Sequence, residues 1–276
     1  MYRLFATPDA LLIESNGRWL RPTGEVSIDT LFTAENPAAF VANLAEQASE
    51  TGAPDPAQLR APLGAQEIWA AGVTYLRSKD ARREESKDAG GGDFYDKVYA
   101  ADRPELFFKA TPHRVAHPGA GVRIRKDSLW NVPEPELTLA INAEGRIFGY
   151  TVGNDKSSRD IEGANPLYLP QAKVYDRSAA IGPCLLVCDP LPESTVIHIL
   201  IRRAAQSVFE GSTEISQIKR SLPSLADWLY KENAFPFGAY LMTGTGIVPP
   251  DRFTLQSGDE IRITIDPIGT LVNSVI

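Results

Sequence analysis

The chain has 276 residues, of which 43% are hydrophobic and 23% are charged, and its formal net charge is −7. A chain of this length and composition can bury a sizeable core, which excludes intrinsic disorder as its main state. The acidic balance also excludes an extended basic surface, so we expect no nucleic-acid partner.

The first 62 residues are predicted to form a small N-terminal α/β domain. Strand patterns at Tyr2–Phe5 and Ala10–Ile13 come before a Ser-Asn-Gly turn, and Trp19 could start the return strand of a hairpin. The sequence PAAFVANLAEQAS, from Pro37 to Ser49, has the alanine content and the apolar stripe of a helix. A proline-rich linker, Ala53–Pro62, then separates this unit from the rest of the chain.

The targeting and redox features of the sequence agree with a cytoplasmic location. The N-terminus has no apolar segment behind a basic start, so we expect no signal peptide. No run approaches the roughly 18 apolar residues of a membrane-spanning helix, and we expect no membrane contact. Cys184 and Cys188 lie in one apolar run, where we expect small buried residues rather than a disulfide or a metal site.

Residues 63–276 are predicted to form one larger, β-rich domain, so that the fold class is α+β. Short apolar runs alternate with Gly, Pro and Asp turns, as in strands joined by tight turns. Helices are predicted at Ser78–Ser86 and Ser221–Tyr230, and the glycine-rich stretch Lys87–Asp96 is predicted to be a loop. The predicted strands are Ile68–Val73, Leu106–Lys109, Leu137–Asn142, Ile147–Asn154, Ala180–Cys188, Val196–Arg202, Gln206–Glu210, Tyr240–Gly244 and Glu260–Ile265.

Three acidic residues near the ends of two predicted strands are candidate metal ligands. Alternate side chains of an extended segment share a face, so Glu134 and Glu136 should point the same way. Asp155 ends the next strand, across a predicted hairpin turn that could bring it beside them. Carboxylates that converge near a core repel one another, and a hard cation relieves that repulsion. The alternative without a metal is that Glu134 and Glu136 form a solvent-facing strand start, with Asp155 in a turn or at a helix cap.

A set of short motifs occurs in a characteristic order over roughly residues 68–276. The motifs are Gly72-Val73-Thr74-Tyr75, Glu134-Pro135-Glu136-Leu137, Gly149–Asp155 with Ser158-Arg159-Asp160, Lys173, Ile181-Gly182-Pro183, Thr243-Gly244-Thr245-Gly246, Gly258-Asp259-Glu260-Ile261 and Ile268–Asn273. In this order they resemble the fumarylacetoacetate hydrolase superfamily. The resemblance implies a roll of mixed β-sheets and a homodimer or homotetramer. It also implies that Glu134, Glu136 and Asp155 bind Mg²⁺, with Mn²⁺ or Ca²⁺ as alternatives.

One motif departs from the hydrolytic members of that superfamily. In those members a histidine, three residues after the motif tyrosine, activates the water that cleaves a C–C bond. Here Ser78 follows Tyr75 at that spacing, and Thr74 replaces the asparagine of the motif. A serine is no general base at neutral pH without a helper, so this departure argues against hydrolysis.

Three longer segments are similar to the dehydratase branch of the superfamily, which acts on 2-keto-3-deoxypentonates. They are Tyr75–Lys79, Arg103–Thr111 and Glu162–Lys173. The resemblance implies a lyase of oxidative pentose breakdown that converts a keto acid derived from arabinonate or xylonate to 2,5-dioxopentanoate. In such an enzyme a divalent cation acts as the Lewis acid while a proton leaves C3.

The dehydratase resemblance assigns roles to residues around the acidic triad. Glu105 and Lys173 are the candidate catalytic residues: either could remove the C3 proton, or Lys173 could stay charged and stabilise the enolate oxygen. Lys109 has an alternative role, because it could extend its ammonium to solvent past two phenylalanines. The residues expected to contact the substrate are Arg77, Ser78, Lys109 and Thr245.

Other functions remain compatible with the sequence. The first alternative is a metal-dependent hydrolase of an acylpyruvate or a 2,4-diketo acid, in which Glu84 or Glu85 replaces the missing histidine as base. A decarboxylase or tautomerase could use the same enolate chemistry. A binding protein with a structural cation is the alternative outside enzymology, and Lys173 beside the triad argues against it.

Overall fold

The computed structural model describes residues 1–85 and 92–276, without the side chains of residues 82–85 and 92–94. The helix predicted at Ser78–Ser86 is present as Leu76–Glu85, and another helix begins at Gly92. The predicted loop Lys87–Asp96 is therefore wrong from Gly92 onward, and its earlier residues lie outside the described part of the chain. The side chains of Glu84 and Glu85, the candidate bases of a hydrolase, also lie outside it.

The described residues form 18 strands and seven α-helices. The strands are β1 (Tyr2–Ala6), β2 (Leu11–Ser15), β3 (Arg18–Arg21), β4 (Ser49–Thr51), β5 (Glu67–Gly72), β6 (Glu105–Ala110), β7 (Val115–Ala116), β8 (Gly121–Val122), β9 (Asn131–Val132), β10 (Pro135–Ile141), β11 (Ile147–Asp155), β12 (Ser157–Ser158), β13 (Ala179–Val187), β14 (Val196–Arg203), β15 (Gln206–Glu214), β16 (Ala239–Met242), β17 (Glu260–Ile265) and β18 (Gly269–Val275). The helices are α1 (Ile28–Thr33), α2 (Pro37–Glu46), α3 (Leu76–Glu85), α4 (Gly92–Ala100), α5 (Arg159–Ala164), α6 (Leu169–Lys173) and α7 (Leu222–Tyr230).

A large mixed sheet runs through the molecule. Its strands lie in the order β4-β3-β2-β1-β13-β11-β10-β16-β5-β6, and β7 pairs with β13 beside this path. Strands β10 and β11 form an antiparallel hairpin near the middle of the sheet, whereas β16 and β5 run parallel. The sheet therefore places β11, β10, β16, β5 and β6 side by side, and four of the predicted site residues lie on these strands: Glu105, Lys109, Glu136 and Asp155.

Strand β13 of the large sheet is buried on both faces. Along β13, Cys184 and Leu186 belong to one apolar cluster, and Leu185 and Val187 belong to the other. A second sheet, with the order β15-β14-β17-β18-β8, packs its isoleucines into the first cluster. A strand that is buried on both faces needs apolar residues at successive positions, which explains the continuous hydrophobic run of β13.

The N-terminal unit extends the large sheet. Strand β1 pairs antiparallel with β13, with Arg3 opposite Leu186. Leu4 and Phe32 share an apolar cluster with Tyr240, which lies on β16 in the centre of the sheet. The domain boundary between residues 62 and 63 stays a prediction, and the hydrogen-bonded sheet continues across it.

The fold class predicted from the sequence, α+β and β-rich, is confirmed. Each strand predicted after residue 63 is present within a few residues of its predicted bounds. Helix α7 begins at Leu222 because the side chain of Ser221 caps it, accepting a 3.3 Å hydrogen bond from the Ser224 N–H. Within residues 1–85 and 92–276, no helix has the length and apolar character needed to cross a bilayer.

The two cysteines are free thiols, as expected. Cys184 is buried and Cys188 is half-buried. Burial raises the pKa of the Cys184 thiol to about 12 and that of Cys188 to about 11. Neither side chain is therefore a reactive thiolate at neutral pH.

Candidate active site

Glu134, Glu136 and Asp155 converge because two paired strands position them. In the β10–β11 hairpin Glu136 lies opposite Gly153, and the Asp155 N–H donates to the Glu134 carbonyl at 3.0 Å. One carboxylate oxygen of each residue lies within 4.8 Å of the other two, and all three residues are buried. The structure thus brings together the three predicted metal ligands through the predicted hairpin.

Three buried carboxylates this close together repel one another. Burial, together with the charges of Asp155 and Glu134, raises the pKa of Glu136 well above its ordinary value. The Gly244 N–H opposes this effect by donating to Glu136 Oε2 at 2.6 Å. Gly244 has a φ of +92°, and a Cβ there would lie 2.0 Å from Thr74 Oγ1, so the approach requires glycine. Grouped carboxylate oxygens of this kind are the preferred ligands of Mg²⁺ and Ca²⁺.

Two cationic side chains beside the triad partly balance its charge. Lys173 Nζ lies 2.7 Å from Glu134 Oε2 and 2.8 Å from Asp155 Oδ2. Arg159 Nη2 donates to Glu134 Oε1 at 2.9 Å, and the Ser157 hydroxyl donates to the same oxygen at 2.9 Å. Contacts on both oxygens fix the orientation of the Glu134 carboxylate.

Two further lysines are completely buried next to the triad. Lys109 Nζ lies 2.7 Å from Asp155 Oδ1 and donates to the carbonyls of Lys156 at 2.9 Å and Lys173 at 2.5 Å. The Lys156 ammonium donates to the carbonyl of Arg123. Burial lowers the pKa of both lysines because an ammonium loses its hydration there, and for Lys109 the charge of Asp155 opposes the shift.

A narrow cavity adjoins the triad. Its described lining encloses about 20 Å³, which is room for about one water molecule. The Glu105 carboxylate packs against Gly72, where an added Cβ would lie 2.0 Å from Oε2. The Phe107 ring faces Lys173, whose Nζ lies 5.4 Å from the ring centroid. Besides the triad and Lys173, the lining side chains include Ser78, Glu105, Phe107, Arg159, Glu162 and Thr245.

Two of the four predicted substrate contacts line this cavity. The Ser78 hydroxyl donates to the Tyr75 carbonyl at 2.8 Å, where α3 begins. The Thr245 hydroxyl accepts a hydrogen bond from the Ile247 N–H at 3.2 Å. Both hydroxyls are therefore held by their own turns at the edge of the cavity.

The other two predicted contacts, Arg77 and Lys109, are not among the residues that line the cavity. The side chain of Arg77 is exposed. Lys109 is completely buried, so the alternative in which it reaches solvent is wrong. It donates to two carbonyls, and its Nζ lies 2.7 Å from Asp155 Oδ1. Direct substrate binding by Lys109 stays a prediction, and the contact that the structure shows is with a candidate metal ligand.

Sequence reasoning gave no role to several residues that shape the site. Ser157, Arg159 and Glu162 follow directly after Asp155, where β11 ends and α5 begins. Arg159 and Glu162 are buried and line the cavity. The sequence did contain a signal for them, since they follow a strand that ends in a candidate metal ligand. Arg159 and Glu162 also lie about one helical turn apart, so they share a face of α5.

The family model described as fumarylacetoacetate (FAA) hydrolase C-terminal matches residues 67–276. This chain belongs to that family. The match begins at the first residue of β5 and includes all residues of the cavity and the triad. The family membership indicated by the motifs is confirmed.

Two similar curated proteins are named as dehydratases. The chain is 50% identical over 216 residues to a probable 2-keto-3-deoxyxylonate dehydratase of Haloferax volcanii, covering 78% of this chain and 73% of that protein. It is 40% identical over 217 residues to a 2-dehydro-3-deoxy-D-arabinonate dehydratase of Saccharolobus solfataricus, with the same two coverages. Both alignments span most of each chain.

Solved structures of a 2-keto-3-deoxy-D-arabinonate dehydratase share the fold. The apo form has a TM-score of 0.84 and 31% sequence identity, covering 99% of this chain and 98% of that one. A complex of the dehydratase with magnesium and 2,5-dioxopentanoate has a TM-score of 0.83, with the same identity and coverages. The β-rich roll implied by the family resemblance is thus confirmed over the whole chain.

Proposed function

We propose that the protein is a Mg²⁺-dependent lyase that dehydrates a 2-keto-3-deoxypentonate to 2,5-dioxopentanoate. The observation that carries the proposal is the composition of the cavity: an acidic triad with Lys173 and Glu105, and none of the three histidines of the chain in the described lining. The similar dehydratases, one of them solved with magnesium and 2,5-dioxopentanoate, support this substrate class.

The triad fits a small divalent cation. Its three carboxylates are buried within 4.8 Å of one another, and burial together with the charges of Asp155 and Glu134 raises the pKa of Glu136 even though Lys173 opposes the shift. Glu134, Glu136 and Asp155 would hold the cation. When bound, it supplies Lewis acidity that favours loss of a proton beside a ketone.

We assign Lys173 and Glu105 different roles in the reaction, because their contacts differ. The Lys173 side chain contacts two carboxylates, and we assign it to the negative charge that develops on the 2-keto oxygen. Glu105 lines the same cavity and accepts the C3 proton. It then returns this proton to the departing C4 hydroxyl, so that one water leaves, and tautomerisation of the unsaturated product gives the aldehyde.

The alternative hydrolase would need a base that activates water. Ser78 occupies the position of the histidine in hydrolytic members, and its hydroxyl is hydrogen-bonded to the Tyr75 carbonyl. Dehydration needs no attacking water and is consistent with this arrangement.

The direct test supplies the substrate class. We expect the purified chain with Mg²⁺ to convert racemic 2-keto-3-deoxypentonate to 2,5-dioxopentanoate, detected through a coupled aldehyde dehydrogenase. A chelator should abolish the reaction and excess Mg²⁺ should restore it, because the cation is the Lewis acid. Acylpyruvates serve as the control substrates. Release of pyruvate from them, without aldehyde from any pentonate stereoisomer, would refute the proposed dehydratase activity and support the hydrolase instead.

A glycine substitution tests the role of Glu105 without changing its carboxylate. In Gly72→Ala the new Cβ would meet Oε2 at 2.0 Å, so the carboxylate must move away. We expect kcat to fall about tenfold or more, because positioned proton transfer contributes about 10²–10⁴-fold. Gly52→Ala is the control, since a Cβ at that exposed position meets nothing within 4 Å. Equal kcat values for the two variants would show that Glu105 takes no part in the proton transfer.

Two further proposals concern the state of the protein in the cell. We propose a homodimer or homotetramer, as the family resemblance implies, and a cytoplasmic location. The negative net charge supports the absence of a nucleic-acid partner. Light scattering of the purified chain would measure the number of subunits.

A further inference from the structure

Lys109 contacts a candidate metal ligand from outside the cavity. It lies on β6, is completely buried, and places its Nζ 2.7 Å from Asp155 Oδ1. The same ammonium donates to the main-chain carbonyls of Lys156 and Lys173 at 2.9 and 2.5 Å. The Lys109 ammonium thus connects the Asp155 carboxylate to the main chain at two places, just after β11 and at the end of α6.

The two oxygens of Asp155 have different partners. Oδ1 pairs with Lys109, which is held by the two carbonyls, and Oδ2 pairs with Lys173, which lines the cavity. Because the ammonium of Lys109 is fixed by main-chain atoms, it gives the carboxylate one preferred rotation. Lys173 also donates to Oδ2 at 2.8 Å, so without Lys109 a single contact would hold the carboxylate. Rotation about the Cβ–Cγ bond is soft, since this torsion has a broad energy minimum, and one contact restricts it less than two.

We propose that Lys109 is a positioning residue that orients Asp155 and thereby sets the preference of the site for Mg²⁺ over Ca²⁺. The inference rests on the proposed metal site and goes beyond it. Mg²⁺ requires near-ideal octahedral geometry at short distances, whereas Ca²⁺ accepts longer and more variable coordination. A carboxylate with a fixed orientation favours the ion that is more demanding in geometry, and a carboxylate held by Lys173 alone would lose part of that preference.

Charge alone would have a different consequence. Lys109 carries a positive charge close to the site, so its removal reduces repulsion toward any dication. That effect is nearly the same for Mg²⁺ and Ca²⁺, because both ions carry two charges. The ratio of the two dissociation constants therefore reports orientation, whereas a common shift of both constants reports charge.

Lys156 provides a matched control. It is also a completely buried lysine, it follows Asp155 directly, and its ammonium donates to the Arg123 carbonyl. Among its described side-chain contacts none is with a triad carboxylate. Lys156→Met therefore removes a buried ammonium near the site while leaving Asp155 oriented.

The experiment measures Mg²⁺ and Ca²⁺ binding to the full chain by calorimetry after chelator treatment, at one pH and ionic strength. In Lys109→Met we expect the ratio of the Mg²⁺ to the Ca²⁺ dissociation constant to rise about tenfold or more, in the range typical of outer-shell partners of a metal ligand. In Lys156→Met the ratio should stay within about twofold of the wild-type ratio, whatever happens to the individual constants.

A second variant protects the test against a folding defect. Circular dichroism and a melting transition will show whether Lys109→Met is folded. If it is not, Lys109→Gln takes its place: this variant puts a neutral but polar side chain at the position and should raise the same ratio. An unchanged ratio in the folded variant, or an equal change in Lys156→Met, would overturn the positioning role. A wild-type chain that binds neither ion would instead refute the proposed metal site, so the two failures are distinguishable.

Discussion

In Glu136→Gln we expect dehydration to fall by more than about 100-fold while the protein stays folded. Loss of an outer-shell partner typically costs about 10–100-fold in metal affinity or activity, and Glu136 is proposed as a ligand itself. The amide keeps the size of the side chain and one acceptor oxygen but not the charge that a hard cation prefers. The measurements are kcat/KM with saturating Mg²⁺ and Mg²⁺ binding by calorimetry.

The same substitution should stabilise the metal-free protein at high pH. The pKa of Glu136 is raised in the folded chain, so between its ordinary value of 4.5 and the folded value the folded state binds more protons than the unfolded state. The stability contributed by this group is present below that window and is lost as the pH rises through it. Glutamine does not titrate, so the Tm difference in chelator between the variant and the wild type should grow from pH 5 to pH 8.

Glu14→Gln is the matched control for this experiment. Glu14 is also a buried carboxylate, but it pairs with Arg3 on the neighbouring strand, away from the cavity. We expect this variant to retain wild-type kcat/KM. Full turnover by Glu136→Gln would show that the triad has been misassigned.

In Lys173→Met we expect the second large effect, a fall in kcat of about 10²–10³-fold or more with metal binding retained. The ammonium is the cation in the cavity that we assign to the charge developing on the keto oxygen, and loss of one such group typically costs about this much. Metal binding should persist because the three carboxylates remain. A stopped assay for the aldehyde and a separate Mg²⁺ titration measure the two quantities.

Lys156→Met again serves as the comparison, since it replaces a buried lysine outside the cavity lining. A loss of Mg²⁺ binding in Lys173→Met that equals the loss of activity would contradict the catalytic assignment, because Lys173 would then only hold the carboxylates together. Undiminished kcat would contradict it more directly.

The triad could be predicted from the sequence because the residues that determine its position lie close together in the chain. Alternation along one strand placed Glu134 and Glu136 on one side, and a short turn fixed the partner strand that carries Asp155. The same locality explains why most strands were found. The loop predicted at Lys87–Asp96 was wrong from Gly92 onward. The prediction gave more weight to the three glycines than to the apolar residues of α4 that follow them.

Long-range contacts could not be predicted in this way. Nothing near Lys109 in the sequence shows that its ammonium meets two carbonyls more than 40 residues later. Two phenylalanines before it indicated an amphipathic side chain that reaches solvent, whereas the sheet buries that strand position completely. The pairing of β1 with β13, across more than 170 residues, was likewise beyond any local pattern.

That pairing determines how the protein can be divided. A fragment that begins at residue 67, where the family match starts, would leave the main-chain N–H and C=O groups of β13 that now face β1 without partners. It would also uncover leucine and valine side chains that Leu4 and Ile13 now cover. Exposed strand edges of this kind invite aggregation. The segment that holds β1 and β2 therefore covers an edge and part of a face of the large sheet, and a fragment without it would expose both.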